Sequence, residues 1–291
     1  MEKKYFLLLL ILLFTGASLQ AITKYPLTLQ DQLNQKVTLA HLPTRIVSTA
    51  PSNTEILFAL GLEKKLIGVT NWCNYPQLAQ KIEKIGDLNP LNVEKILALR
   101  PELILANKLN DQAGVNRLRE LGIPICVFDP QSFTEIIESI KIIGKINNQE
   151  NTAKRLITRL QTTLIQTKQQ GELIKKIKLK VYLQLDGTSA WTAGPGSFLD
   201  EAITLTGGNN LAHDLGKPWG EMNLETVLAR NPDVIITSVE PAKIYNDPAW
   251  IKVAAIQKHQ VFQIDMDTYY RPGPRLIEVL PDLVSIFKKC K

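Results

Sequence analysis

The sequence predicts an α/β protein of two Rossmann-like lobes joined by a single long α-helix, with a ligand cleft between the lobes. Three observations carry that expectation. Strand-like and helix-like segments alternate from about residue 45 to 128 and again from 179 to 264, the pattern of parallel sheets covered by helices. Between these stretches, residues 133 to about 178 hold no strand signal and repeat apolar side chains at helical spacing. Finally, Asn92-Val93-Glu94-Lys95-Ile96-Leu97-Ala98 before Pro101-Glu102-Leu103-Ile104-Leu105 recurs as Asn223-Leu224-Glu225-Thr226-Val227-Leu228-Ala229 before Pro232-Asp233-Val234-Ile235-Ile236, at a constant offset of 131 residues. A shared helix–proline–strand unit of that length points to two related lobes. The expected division is a signal peptide over 1–21, a first lobe over 22–146, the linking helix over 147–176 and a second lobe over 177–291.

The elements follow in order. Alternation on both sides of Asp31-Gln32-Leu33-Asn34-Gln35 reads as a β-hairpin over 27–39. Arg45 to Ser48 forms a short buried strand. A helix opens at Pro51-Ser52-Asn53-Thr54-Glu55 and runs to Leu60, with Ser52 or Asn53 as its N-cap and Gly61 as its stop. A strand over 66–70, a helix over 92–99, a strand over 102–106, a helix over 112–121 and a strand over 123–128 complete the first half. Ile136, Ile137, Ile140 and Ile143 mark a helix. After a break at Asn147-Asn148, Leu156, Leu160 and Leu164 lie along one long helix to about Gly171. The second half reads as a strand over 179–185, a helix over 197–206, a stop and turn at Gly207-Gly208-Asn209-Asn210, a helix over 224–229 and strands over 234–237 and 261–264. A final helix over 273–287 has Pro281 inside it as a kink.

Composition narrows the function classes. Hydrophobic residues make up 45% and charged residues 21% of 291, ordinary globular proportions that exclude a disordered or multi-span chain. Lys3 and Lys4 precede the unbroken apolar run Phe6 to Phe14 and then small residues. A bilayer span needs about 20 apolar residues, so this run reads as a signal peptide, cleaved after Ala21 or Ala17. No cysteine follows it, so a soluble exported protein without a lipid anchor is expected. The net charge of +6 is scattered, with no basic run interleaved with aromatics to suggest nucleic acid. Cys73, Cys126 and Cys290 are odd in number, which leaves at least one thiol free and a Cys73–Cys126 disulfide open. His41, His213 and His259 stand alone, and no Cys/His spacing suits a metal. Gly194-Pro195-Gly196-Ser197-Phe198 is not a nucleophile elbow. No catalytic constellation appears, so neither an enzyme nor a catalytic cofactor is expected.

Ligands of such folds sit outside the carboxyl ends of the strands. The loops at the predicted cleft edge, after these strands and before the second-lobe repeat helix, carry Trp72, Tyr75, Trp191, Trp219, Tyr269 and Tyr270. Aromatic rings offer flat apolar area with polar tips, suited to a large planar ligand with amide or carboxylate arms. Asp267 and Arg271 stand where they could bond those arms. Glu94 and Glu225 occupy equivalent places near two helix starts. A helix start alone favours an acidic side chain, by about 0.3–1 kcal/mol. Paired carboxylates on one rim also suit a twofold-symmetric partner carrying arginines, and spacing leaves both readings open.

The ordered set Arg45-Ile46-Val47-Ser48, Ser52-Asn53-Thr54-Glu55, Asn74-Tyr75-Pro76, Lys84-Ile85-Gly86, Asn92-Val93-Glu94-Lys95-Ile96, Pro101-Glu102-Leu103-Ile104 and Thr206-Gly207-Gly208-Asn209-Asn210 resembles the periplasmic binding proteins with a helical backbone, which serve ABC importers of cobalamin, haem and ferric siderophores. The resemblance covers residues 27–288 and is strongest to cobalamin-binding members. It implies a periplasmic monomer that binds a corrinoid, cobalamin, against Trp72, Trp191 and Trp219, with Asp267 and Arg271 meeting the corrin side groups. It also implies docking of Glu94 and Glu225 to arginines of the importer's transmembrane subunits, and a rigid linking helix with little hinge motion. Two departures are Leu88, where a further cleft tryptophan falls in those proteins, and Cys73 beside Trp72. Haem or a ferric siderophore is the alternative cargo; an exported hydrolase or a ligand sensor is the alternative of another class.

Overall fold

Hydrophobic strands three to five residues long set the architecture, because a parallel strand covered on both faces must be apolar throughout. The computed structural model describes residues 23–186 and 191–290; the expected signal peptide and residues 187–190 lie outside them. Strands β1 (Leu27–Gln30) and β2 (Lys36–Leu39) pair as the antiparallel hairpin. The first lobe then runs β3 (Ile46–Ser48), α1 (Pro51–Ala59), β4 (Leu66–Val69), α2 (Val93–Ala98), β5 (Leu103–Asn107), α3 (Gln112–Glu120) and β6 (Ile125–Phe128). Its parallel sheet has the order β4-β3-β5-β6.

Helix α4 (Phe133–Ile146) and the 26-residue helix α5 (Glu150–Lys175) follow. The second lobe comprises β7 (Lys180–Gln184), β8 (Trp191–Ala193), α6 (Phe198–Leu205), β9 (Asn209–Asn210), β10 (Trp219–Glu221), α7 (Leu224–Arg230), β11 (Val234–Thr237), α8 (Pro241–Tyr245), α9 (Ala254–Gln257), β12 (Val261–Gln263), α10 (Met266–Tyr269), α11 (Pro274–Glu278) and α12 (Leu280–Lys289). Its parallel sheet has the order β9-β7-β11-β12. Read from the edge strand inward, the two sheets have the same topology.

The repeated unit has a physical reason in each lobe. Asn92 and Asn223 cap α2 and α7, accepting from the backbone N–H of Lys95 and Glu225. Arg100 and Asn231 then take the left-handed conformation that ends each helix. Beyond the following proline, Glu102 accepts from the N–H of Thr44 and Arg45, and Asp233 from that of Lys180. Each carboxylate therefore pins the start of the neighbouring strand. Arg45 and Lys180 complete the exchange by donating to the last carbonyls of α2 and α7, at Leu99 and Arg230. The Thr44 amide holds the Glu102 carboxyl below its ordinary range.

Helix α5, about 39 Å long at 1.5 Å per residue, contacts α4 on one side and α6, α11 and α12 on the other. One apolar core continues through both lobes, including Ile56, Phe128, Ile140, Leu160, Leu183, Leu276 and Leu280. Gly171 permits the close approach of α5 to the second lobe: a Cβ there would lie 2.1 Å from the Leu205 carbonyl oxygen.

Three expectations need correction. Helix α1 is capped at Ala50 with Pro51 in its first turn, and Ser52 and Asn53 lie inside it, buried. Proline suits that position because its missing N–H would have no helical partner. Asn53 instead donates from Nδ2 to the Ala106 carbonyl, 3.0 Å away, tying α1 to β5. The C-terminal helix is two helices, with Pro281 in the first turn of α12 rather than at a mid-helix kink. The expected turn at Asn209-Asn210 is a short strand that joins the second sheet beside β7. Among the described residues, no helix is long and apolar enough to cross a membrane.

Candidate functional site

The carboxyl ends of β4 and β7 send out the segments that carry Trp72 and Trp191. In the first lobe, Lys84 anchors the Trp72 loop by donating Nζ to the carbonyls of Thr70, Cys73 and Ala79 at 3.4, 3.0 and 3.2 Å. Cys73 is buried beneath it, with its Sγ 3.2 Å from the hydroxyls of both Thr54 and Thr70. With the loop tied from below, the Trp72 indole projects outward and is 57% exposed.

In the second lobe, β8 pairs antiparallel with β10, setting Trp191 opposite Glu221 and Trp219 opposite Ala193. Trp191 is 38% exposed. Trp219 is half-buried; its ring lies 5.0 Å from that of Phe198, and its Nε1 donates to Gln131 Oε1 of the first lobe at 3.2 Å. Tyr270 donates its hydroxyl to the Leu185 carbonyl, and the Leu185 N–H donates to the Trp191 carbonyl. Burial pushes the Tyr270 phenol well above its ordinary range, so it stays a donor. A hollow of about 580 Å³ opens beyond β11 and β12, lined by Ser238, Gln263, Ile264, Asp265, Met266 and Asp267.

Asp267 and Arg271 lie where the lobes meet. Arg271 donates to the Trp72 carbonyl at 3.1 Å, to Asn74 Oδ1 at 2.7 Å and to Glu55 Oε1 at 3.3 Å, all in the first lobe. It also pairs with Asp267 at 2.7 Å. Asp267 in turn accepts from Asn74 Nδ2 at 2.6 Å. Arg275 reaches the same carboxylate, with Nε 2.9 Å from Glu55 Oε2 and Nη2 2.6 Å from Glu55 Oε1. Its guanidinium also lies 3.8 Å above the centre of the Tyr75 ring. Burial alone would lower the pKa of Arg275, but the hydrogen bonds and charge of Glu55 outweigh it and raise the pKa.

The structure thus groups the expected residues unevenly. Trp72, Asp267 and Arg271 form one connected cluster; Trp191, Trp219 and Tyr270 form another beside it. Arg271 was expected to meet a ligand arm, but it is buried and engaged with protein acceptors on both lobes. Tyr75, expected as a ligand contact, carries Arg275 and lines a separate hollow of about 250 Å³ with Glu55, Phe58 and Arg159. Tyr269 is buried in the core, because the short helix α10 turns it inward while Tyr270 faces Leu185. Glu55, Asn74 and Arg275 were missed as site residues. The pair Arg271 and Arg275, four residues apart around Pro272-Gly273-Pro274, was their one sequence signal.

All three cysteines are buried free thiols, so no disulfide joins Cys73 to Cys126. Burial pushes the Cys126 thiol up to about 12 and the Cys290 thiol up to about 11. Among the described residues, no group of three or more His, Cys, Asp or Glu side chains is placed to hold a metal. Glu94 and Glu225 are both exposed and have no ion-pair partner among the described residues.

Residues 46–268 match the family model described as periplasmic binding protein. The chain belongs to that family. Its members bind solutes rather than transform them, and this chain is a solute-binding protein. It is 35% identical over 269 residues to an uncharacterized ABC transporter substrate-binding lipoprotein, YvrC, of Bacillus subtilis, covering 90% of this chain and 85% of that one. It is 31% identical over 246 residues to the vitamin B12-binding protein of Pectobacterium carotovorum, covering 84% and 88%. Among solved structures, the periplasmic vitamin B12 binding protein BtuF of Vibrio cholerae matches with a TM-score of 0.77 and 28% identity, over 86% of this chain and 98% of that one.

Proposed function

We propose that this binding protein captures a corrinoid, cobalamin or a close relative, in the periplasm and delivers it to the transmembrane subunits of an ABC importer. The observation that carries the reading is the pair of exposed indoles, Trp72 on one lobe and Trp191 on the other, beside a common polar rim. Arg271 bonds the carbonyl of Trp72, and Tyr270, one residue before it, bonds the carbonyl of Leu185 next to Trp191. Rings on two rigid lobes suit a broad macrocycle, and Asp267 offers a carboxylate to amide N–H groups at its edge. The B12-binding relatives support the same cargo.

Titration of the mature protein with cyanocobalamin, followed by tryptophan fluorescence and calorimetry, tests the cargo. Saturable one-to-one binding is expected. Binding of haem or a ferric siderophore without any binding of cyanocobalamin would overturn it.

Glu94 and Glu225 are proposed as the docking carboxylates. Each stands exposed on the second residue of its helix, with an asparagine cap before it. Changing both to alanine is expected to spare cyanocobalamin binding and abolish its uptake. Undiminished uptake by that variant would sink the docking role.

A further inference from the structure

Glu55 stands out as a charge that the cargo reading does not use. Its side chain is 2% exposed, yet it receives both Arg271 and Arg275 from the opposite lobe. A guanidinium does not lose its proton in a protein, so a buried one needs an anionic or carbonyl partner wherever it points. Here each has one: Glu55 serves both arginines, and Asp267 serves Arg271. The ion-paired groups are two cations and two carboxylates, and Asp265, whose charge also acts on Arg275, adds a further negative charge beside the hollow. Asp267 is the outer member of the ion-paired cluster, with a side chain 45% exposed, beside the hollow at the ends of β11 and β12.

We propose that Glu55 sets the charge selectivity of the groove, holding Arg271 and Arg275 away from the ligand so that the rim accepts uncharged amide arms and rejects carboxylate arms. The proposal rests on the corrinoid reading and adds a residue to it. An amide N–H arriving at the rim finds the Asp267 carboxylate as an acceptor. A carboxylate arriving at the same place meets a like charge, while the cations behind it are already occupied. Without the Glu55 charge the site becomes one unit more positive, and the guanidiniums are freed to receive an anion. Glu55 does not touch the ligand; it acts through the two arginines.

The test compares two ligands with one ring: cyanocobalamin, and cyanocobalamin with a single side-arm amide hydrolysed to a carboxylate. The wild type is expected to favour the amide form by at least about tenfold. Glu55→Gln, which keeps the shape and removes the charge, should narrow or invert that ratio. The double change Glu55→Gln with Arg275→Gln restores the original charge balance and should restore the preference. Rising salt should shrink the difference between wild type and variant, whereas loosened structure would weaken both ligands alike. A wild type that binds both forms equally, or a Glu55→Gln protein with an unchanged ratio, overturns the charge-selectivity proposal and leaves the cargo standing. A wild type without affinity for cyanocobalamin overturns the cargo and the proposal together. If circular dichroism shows that Glu55→Gln does not fold, Arg275→Gln alone makes the opposite charge change behind the rim. The preference for the amide form is then expected to widen, and an unchanged ratio overturns the proposal.

Discussion

The first lobe meets the groove with a loop held from below by a lysine, whereas the second meets it with a two-stranded ribbon and a one-turn helix. Behind those rims the lobes repeat one another: the same strand order, the same asparagine cap, the same left-handed residue before proline, and the same carboxylate at the start of the next strand. The repeated parts satisfy backbone groups, a need common to any helix followed by a parallel strand. The unrepeated parts carry Trp72, Trp191 and Trp219. A duplicated scaffold can therefore present two different walls to one ligand.

The largest effect is expected at the seam between the lobes. Glu55→Ala removes the carboxylate that both arginines share and leaves Arg275 with no ion pair among the described residues. Breaking a buried ion pair by deleting one member costs about 3–5 kcal/mol. Urea denaturation should show a loss of that size, and a loss of only a few tenths would mean that the lobes do not depend on this contact. A smaller loss is expected where α5 meets the second lobe. An added methyl at Gly171 runs into the backbone at Leu205 and Gly207, which cannot turn aside, so Gly171→Ala should cost about 1–3 kcal/mol. At the first-lobe end, a methyl at Gly144 meets the side chain of Ala153 at 2.6 Å. Pairing Gly144→Ala with Ala153→Gly should therefore recover most of the stability that Gly144→Ala loses. No comparable exchange of side chains is available at Gly171.

The repeat itself predicts equal costs. Asn92→Ala and Asn223→Ala each remove a side-chain acceptor from a helix start, worth about 1 kcal/mol. Thermal unfolding of the two variants should give similar shifts. A twofold or greater difference would show that the two units, alike in sequence, carry unequal loads.

Much of this frame was legible in the sequence, because alternation, caps and the constant offset of the repeat are local signals. The helical period through Leu156, Leu160 and Leu164 announced α5 for the same reason. The seam was much less legible. Glu55 and Arg275 lie 220 residues apart, and pairing across lobes leaves no period in either segment. Near its helix start, Glu55 reads as an ordinary surface acid until Arg275 arrives from the other lobe. Strands β8, β9 and β10 have three residues or fewer, too few to show alternation. Tyr269 and Tyr270 are neighbours in sequence, and only the direction of α10 decides which of them enters the core.

The smallest expected effect concerns another bridge between the lobes, at Glu201. Its Oε2 accepts from the Phe133 N–H at 2.8 Å, so a second-lobe carboxylate meets the first turn of α4. Burial raises its pKa, the Phe133 hydrogen bond opposes that rise, and the nearby charges of Glu135 and Asp200 add to it. A carboxyl whose pKa is higher folded than unfolded binds its proton more tightly in the folded state. The stability it contributes is complete below the unfolded pKa and is lost as pH rises through the folded one. Glu201→Gln keeps an oxygen for Phe133 and carries no charge at any pH. Relative to the wild type, the variant should therefore gain stability between acid and neutral pH. The gain should stay below about 1 kcal/mol, because the side chain is only half-buried and solvent screens its neighbours. Urea midpoints for both proteins across that range measure it. A wild type that instead gains on the variant as pH rises would mean that the ionised carboxylate is the better partner for α4, and that the bridge between the lobes is strengthened by charge rather than strained by it.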